Sequence, residues 1–224
     1  LNVRISAAAA KKPRPTQQRV LAVSAELFNL HGVEAVSVGM IADHMQISPG
    51  NLTYHYRRKA DLIEHHFALL GTCAVTALET FPVGAEPRAF ARALFDFLSE
   101  VYQYRFLFLG ASFITKNDLL ATYRYRRLLR RAHAMTNRQV ERLIAQGHMP
   151  PLAPPITVSL WMESIWWQLL GKLLSMQITP PREDEGASRV VGRAIIEIIL
   201  SNPHCATLPF FHQLRAETER LARG

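Results

Sequence analysis

Residues 37–62 read SVGMIADHMQISPGNLTYHYRRKADL, and their punctuation is that of two short helices joined by a tight turn and running into a third. Ser37 is a good N-cap, because its hydroxyl can accept from the orphan amides of a first turn. Met40, Ile41 and Met45 recur at helical spacing and give a short apolar face. Ile47 falls in the turn, where a branched side chain can plug the angle between helices. Ser48-Pro49 is a second start signal, an N-cap followed by proline at the first helical position. Leu52 and Tyr56 are one turn apart and can face inward. Pro49, Gly50, Asn51, Thr53, Tyr54, His55 and Lys59 are left for the other faces. This is the pattern of a helix-turn-helix whose second helix offers small, polar and aromatic groups to base edges.

The stretch resembles the DNA-binding domain of the TetR (tetracycline repressor) family of bacterial transcriptional regulators. Phe28 and Gly32, Ser37, Ile41-Ala42, the run Ser48 to Tyr56, Lys59 and Leu62 stand at the family's spacing. Two positions depart from it. Gln46 stands where the turn usually has glycine, at a cost of about 1–2 kcal/mol if left-handed. Thr53 replaces the usual tyrosine of the recognition helix, which removes an aromatic contact and bears on the choice of operator. The resemblance implies that Pro49, Gly50, Asn51, Thr53 and Tyr54 enter the major groove. It implies that His55 and Lys59 contact phosphate, with Ser37 offering a hydroxyl and a helix N-terminus to another phosphate. Asn51 can pair with adenine, and Tyr54 can pack on a thymine methyl or bond a phosphate.

Composition agrees with this reading without requiring it. The net charge is +8, and 49% of the 224 residues are hydrophobic, enough for a sizeable core. Up to residue 62 there are eight Lys and Arg against four Asp and Glu, and beyond it eighteen against fourteen. The positive excess is therefore denser in the N-terminal part, as counterion release from DNA would favour. Cys73 and Cys205 have no metal or redox spacing and suggest a reducing, cytoplasmic setting. No apolar run is long enough to suggest a membrane span. The segment LNVRISAAAAKKPRP lacks the apolar centre of a secretory signal.

The remaining periodicity is helical throughout, so the expected class is all-α with nine or ten helices. The expected division is a disordered basic arm over 1–14, a helix-turn-helix domain over 15–62, and a helical ligand-binding and dimerisation domain over 63–224. The first helix is placed at Thr16–His31, with Val20, Val23, Leu27 and Leu30 on one side. A single sixth helix is placed at Phe106–Thr115, a long seventh at Asn117–Gln146, an eighth at Thr157–Met176, and a ninth from Glu183 to Leu200. The later part resembles the same family more loosely, through helix number and order and the segment YQYRFLF at 102–108.

Three further clusters have a functional and a plainer reading. His65-His66, with His31 and His55, could suggest a metal. Adjacent helical residues diverge by about 100 degrees, however, and no matching i+4 ligand set is present, so no metal is expected. The run Arg124, Arg126, Arg127, Arg130, Arg131 could bind an anion, but a solvated helix face is favoured. The aromatic group Trp161, Trp166, Trp167, Phe106, Phe108, Phe113 and Tyr123 could wall a ligand pocket or simply form core or interface. From it we take Phe106, Phe113, Tyr123 and Trp166 as pocket candidates. Trp161, Ile165, Leu169, Ile195 and Ile198 are taken as a homodimer interface.

No nucleophile–base pair, phosphate-binding glycine loop or zincin pair occurs, so no enzyme and no cofactor is expected. The reading is a homodimeric regulator, a repressor rather than an activator. It would bind double-stranded DNA at an inverted repeat and be released by a small hydrophobic effector. One alternative is a DNA-binding regulator controlled by a protein partner or by abundance. A more distant one is a helical enzyme or carrier.

Overall fold

The computed structural model describes residues 15–79, 86–116, 118–180, 186–200 and 209–223. Among them are eleven helices and no strand: α1 Pro15–His31, α2 Val38–His44, α3 Pro49–His55, α4 Lys59–Glu79, α5 Pro87–Gln103, α6 Arg105–Leu109, α7 Ala111–Lys116, α8 Leu119–Ala145, α9 Val158–Ile178, α10 Ala187–Leu200 and α11 Pro209–Arg223. The N-terminal arm, Cys205 and the expected start of a helix at Glu183 lie outside the described residues.

Local chemistry explains most of the boundaries. Ser37 accepts from the Met40 amide and Ser48 from the Asn51 amide. Asp118 caps α8 through the amides of Leu120 and Ala121, and Thr157 caps α9 through that of Leu160. Each of these replaces a missing intrahelical acceptor for an orphan amide.

The single helix expected over 106–115 is two, broken at Gly110. A Cβ there would lie 2.8 Å from the Phe106 carbonyl oxygen and 3.0 Å from Val33 Cγ2. The break therefore lets the backbone come close to the loop after α1.

Helix α1 buries Val20, Leu21, Ser24, Ala25 and Phe28. Leu30, expected on that face, is 71% exposed, because it lies two residues, about 200 degrees, past Phe28. Met40 is likewise exposed, whereas Ile41 and Met45, one turn apart, are both buried.

Helices α4, α5, α8, α9, α10 and α11 form the larger bundle, with α5 packed against α4, α10 and α11, and α9 against α8 and α10. In the arginine run of α8, Arg124 pairs with Glu64, and Arg131 lies 3.6 Å from Glu79. Both carboxylates come from α4 rather than from the ends of α8. Exposed pairs of this kind contribute at most about 1 kcal/mol each.

The two parts of the molecule meet around His66 of α4. The Ser24 hydroxyl donates to the Leu21 carbonyl at 3.0 Å, so His66 Nε2–H donates to Ser24 Oγ at 2.9 Å. The rings of Phe28, Phe106 and Tyr104 surround the imidazole. Its Nδ1 is buried, with no hydrogen-bond partner among the described residues. Protonation there would bury a charged N–H without an acceptor, and burial accordingly pushes the pKa of His66 down to about 3, with His65 adding to the effect.

The sign of the resulting pH dependence follows. Between the ordinary histidine value near 6.5 and about 3, the unfolded chain binds a proton that the folded protein does not. Stability from this group is complete above 6.5 and falls by about 1.4 kcal/mol per pH unit below it. Urea unfolding of the wild type and of His66→Gln at pH 6.5 and 5.5 checks this. The variant should be less stable at pH 6.5 and should show a shallower pH slope by up to one proton.

Candidate nucleic-acid interface

Helix α3 has seven residues, too few to be stable alone, and is held by one buried face. Leu52 is fully buried within α3, and Tyr56, at its C-terminal cap, is nearly so. The angle between α2 and α3 is set at Gln46, which adopts φ 55°, the left-handed conformation for which glycine is favoured. Ile47, half-buried against the core, fills the corner as expected.

With Leu52 and Tyr56 turned in, Pro49, Gly50, Asn51, Thr53 and Tyr54 are all exposed, and His55 is partly so. Tyr54 is 78% exposed and meets the His55 ring edge-on at 5.1 Å. Asn51 leaves its amide side chain to the outside while its backbone N–H is capped. The Thr53 hydroxyl donates back to the Gly50 carbonyl at 3.2 Å, which commits its proton to the helix. Gly50 has no atom near the place a Cβ would occupy, so nothing inside the molecule requires a glycine there. Ser37 is exposed at the start of α2, and as a cap acceptor it keeps its hydroxyl proton for an outside partner.

Lys59 is placed differently from the expectation. Its ammonium donates to the carbonyls of Val33 at 2.7 Å and Glu34 at 3.1 Å and sits 5.0 Å from the centre of the Phe113 ring. Burial pushes its pKa below the ordinary lysine value, with the Glu34 carboxylate acting the other way. An ammonium with two carbonyls and a ring face is a strut between α4 and the loop after α1.

The basic groups at the end of α3 are Arg57 and Arg58, both exposed. Arg58 pairs with Asp61 at 3.2 Å. Arg57 is the residue that the sequence reading passed over. The signal for it was a basic side chain one residue past the inward Tyr56.

The pocket candidates are also redistributed. An apolar cavity of about 120 Å³ lies between α5, α8, α9, α10 and α11, lined by Phe97, Leu98, Val140, Trp166, Leu169 and Ile195 among others. Of the four expected residues only Trp166 lines it. Phe106 and Phe113 instead border a separate cleft beside Val33 and Glu34. Phe106 packs against Phe28 of α1, their ring centres 5.2 Å apart. Tyr123 is 54% exposed on α8.

The expected interface residues Ile165, Leu169 and Ile195 are buried within the protomer and line the cavity, as does the half-buried Trp161. The side chain of Ile198 lies outside the described residues. The opposite face of α9 is exposed and apolar at Leu160, Trp167, Leu174 and Ile178.

A short helix locked by one apolar pair, with its other faces open, beside a larger helical bundle, is the arrangement of a helix-turn-helix. Residues 20–65 match the family described as bacterial regulatory proteins, tetR family. No protein of curated function matches the sequence.

Among solved structures, a TetR-family transcriptional regulator from Marinobacter aquaeolei VT8 aligns with TM-score 0.71 and 22% identity, over 94% of this chain and 98% of that one. The fatty acid degradation regulator FadR from Bacillus halodurans aligns with TM-score 0.64 and 11% identity, over 87% and 100%. A γ-butyrolactone receptor, an ArpA-like protein, aligns with TM-score 0.62 and 14% identity, over 93% and 96%. The fold of the whole chain is thus that of TetR-type regulators. Among the described residues no helix is long and apolar enough to cross a membrane.

One salt series on a cognate and a scrambled site separates the roles. Asn51→Ala should cost about 1–3 kcal/mol on the cognate site and relax one base pair per half-site. Arg57→Ala should weaken both sites and lower the salt slope by about one unit per subunit. Lys59→Ala should leave that slope unchanged while lowering thermal stability. Gly50→Ala should stabilise the free protein by about 0.5–1 kcal/mol yet weaken DNA binding, since the added methyl would face the DNA backbone.

Proposed function

We propose that the protein is a homodimeric repressor that binds an inverted-repeat operator through α3 and releases it when a small, uncharged, apolar molecule enters the cavity of the larger bundle. Pro49, Gly50, Asn51, Thr53 and Tyr54 would meet the major groove. Ser37, His55 and Arg57 would meet phosphates.

The observation that carries the effector reading is the cavity. Its lining holds no charged residue, and its polar side chains are Thr136 and Gln139. Thr136 donates to the Ala132 and His133 carbonyls and accepts from Trp166 Nε1 at 3.5 Å, so it has little left to anchor a charged guest. The Trp166 ring is held flat by His133, stacked at 5.5 Å and 7°. A dry cavity of roughly 150 Å³ accommodates benzene, so about 120 Å³ suits a single ring or a short aliphatic chain. A larger guest must push α5 away from α8 and α9. Differential affinity of a few kcal/mol between the two arrangements is enough to shift the population. The names of the fatty acid regulator and the γ-butyrolactone receptor are consistent with apolar effectors on this fold.

Dimerisation would use the outer face of α9. Leu160, Trp167, Leu174 and Ile178 stand seven, seven and four residues apart, which keeps them on one side of the helix as an exposed stripe. A helix apolar on both faces calls for a second covering surface, and a second copy supplies one by two-fold symmetry. The two α3 helices of such a dimer would need to sit about 34–36 Å apart to enter successive major grooves.

Two measurements test the reading. Titrating single-ring and short-chain apolar compounds should quench the fluorescence of Trp161 and Trp166 and dissociate the protein from its selected operator. If operator binding responds to none of them, control by a protein partner or by abundance is the better account. Sedimentation should show a dimer at micromolar concentration, and Trp167→Glu should shift it to monomer with the helical content unchanged. A wild-type monomer would refute the dimer.

A further inference from the structure

We propose that Asn29 is a positioning residue that couples the cavity to the DNA-binding helices. This rests on the reading of the cavity and of α3 given above.

Two helix ends meet at a bend, and their local bonds, from the Tyr104 amide to Glu100 and from Arg105 to the Tyr102 carbonyl, leave the Gln103 carbonyl and the Phe106 amide to a more distant partner. α5 ends at Gln103 and α6 begins at Arg105, with Tyr104 between them at φ −100° and ψ 21°. No side chain caps the start of α6 locally. A terminal carbonyl and a first-turn amide of this kind need partners from elsewhere. Asn29 of α1 supplies both. Its Nδ2–H donates to the Gln103 carbonyl at 2.8 Å, and its Oδ1 accepts from the Phe106 amide at 3.1 Å. A side-chain amide carries donor and acceptor together. Aspartate keeps only the acceptor, and an apolar residue keeps neither.

Each end of this clamp is attached to something that acts. On one side, α5 contributes Phe90, Leu94, Phe97 and Leu98 to the cavity wall. Gln103 is six residues beyond Phe97, about 9 Å along the same helix, so a displacement at the wall arrives at the clamp as a rigid-body shift. On the other side, Asn29 stands on the last turn of α1, just ahead of Val33 and Glu34, whose carbonyls hold Lys59. Beyond them lies Ser37, the cap of α2.

The packing beside the clamp permits movement. Phe28 touches Phe106 with ring centres 5.2 Å apart, but next to them opens a cleft of about 490 Å³ bordered by Val33, Glu34, Phe113, Lys116 and Gln177. The joint is thus pinned at discrete points with open space alongside.

The test is a double-mutant cycle that needs neither DNA nor an identified effector. Leu94→Phe adds ring volume to the cavity from α5 and stands in for a guest. Amide hydrogen exchange of residues 30–44 is measured in the full-length wild type, Leu94→Phe, Asn29→Ala and the double variant. We expect Leu94→Phe to change exchange in that segment at least threefold in the wild-type background and less than 1.5-fold with Asn29→Ala. Asn29→Asp, which preserves size and the bond to the Phe106 amide, should uncouple in the same way. It carries the cycle if Asn29→Ala folds poorly.

A purely structural role for Asn29 would lower stability but leave the two effects additive. Equal responses in both backgrounds, or no response in the wild-type background, would overturn the proposal. Because no ligand or DNA is present, that failure would leave the effector and operator readings standing. A failed operator or effector titration would leave the cycle interpretable.

Discussion

The presentation of α3 depends on the burial of Leu52 and Tyr56. A seven-residue helix has no independent stability, and these two side chains are its anchors to the core that includes Ile41, Ala42, Met45 and Leu62. The anchorage is not free of cost. The Tyr56 hydroxyl is buried with no hydrogen-bond partner among the described residues, and burial pushes its pKa up. An unmet hydroxyl costs about 1–3 kcal/mol, whereas burying an aromatic side chain of 150–250 Å² contributes about 4–6 kcal/mol. The ring therefore wins. The exposure of Asn51, Thr53 and Tyr54 follows from the geometry of the same helix.

The second constraint is the joint between the small domain and the large one. Among the described residues, polar contacts that cross it include Ser24 to His66, the Lys59 ammonium over the Phe113 ring, and Asn29 to both sides of the Tyr104 bend. Each uses a side chain from one part to satisfy backbone or ring atoms of the other. Polar contacts of this kind are directional and hold one relative orientation better than an apolar surface would. Rigidity in the helices combined with a few directional contacts at the joint is what a population shift between two arrangements requires.

The helix-turn-helix was legible in the residues because its signals are local. Ser37, Ser48-Pro49, Leu52 and Tyr56 each act within one turn of chain, and the left-handed conformation at Gln46 could be anticipated from the family's glycine at that position. The division of Phe106–Thr115 at Gly110 was not legible, because part of what surrounds Gly110 is Val33, far away in sequence. The same holds for Lys59, whose partners are carbonyls 25 and 26 residues earlier. Periodicity marked α9 as apolar but could not say which face turned inward, since both faces are apolar. That is why Ile165 and Leu169 were read as interface and prove to be buried cavity wall.

The amino-acid sequence by itself determined most of the helices, the caps Ser37 and Ser48, the turn and the outward residues of α3, because short-range sterics and hydrogen bonding decide these within a few residues. The tertiary structure alone decided where the cavity lies, which face of α9 is left uncovered, and that Asn29 and Lys59 serve the joint between the domains. These depend on which distant atoms arrive beside a side chain, and a linear pattern carries no record of such encounters.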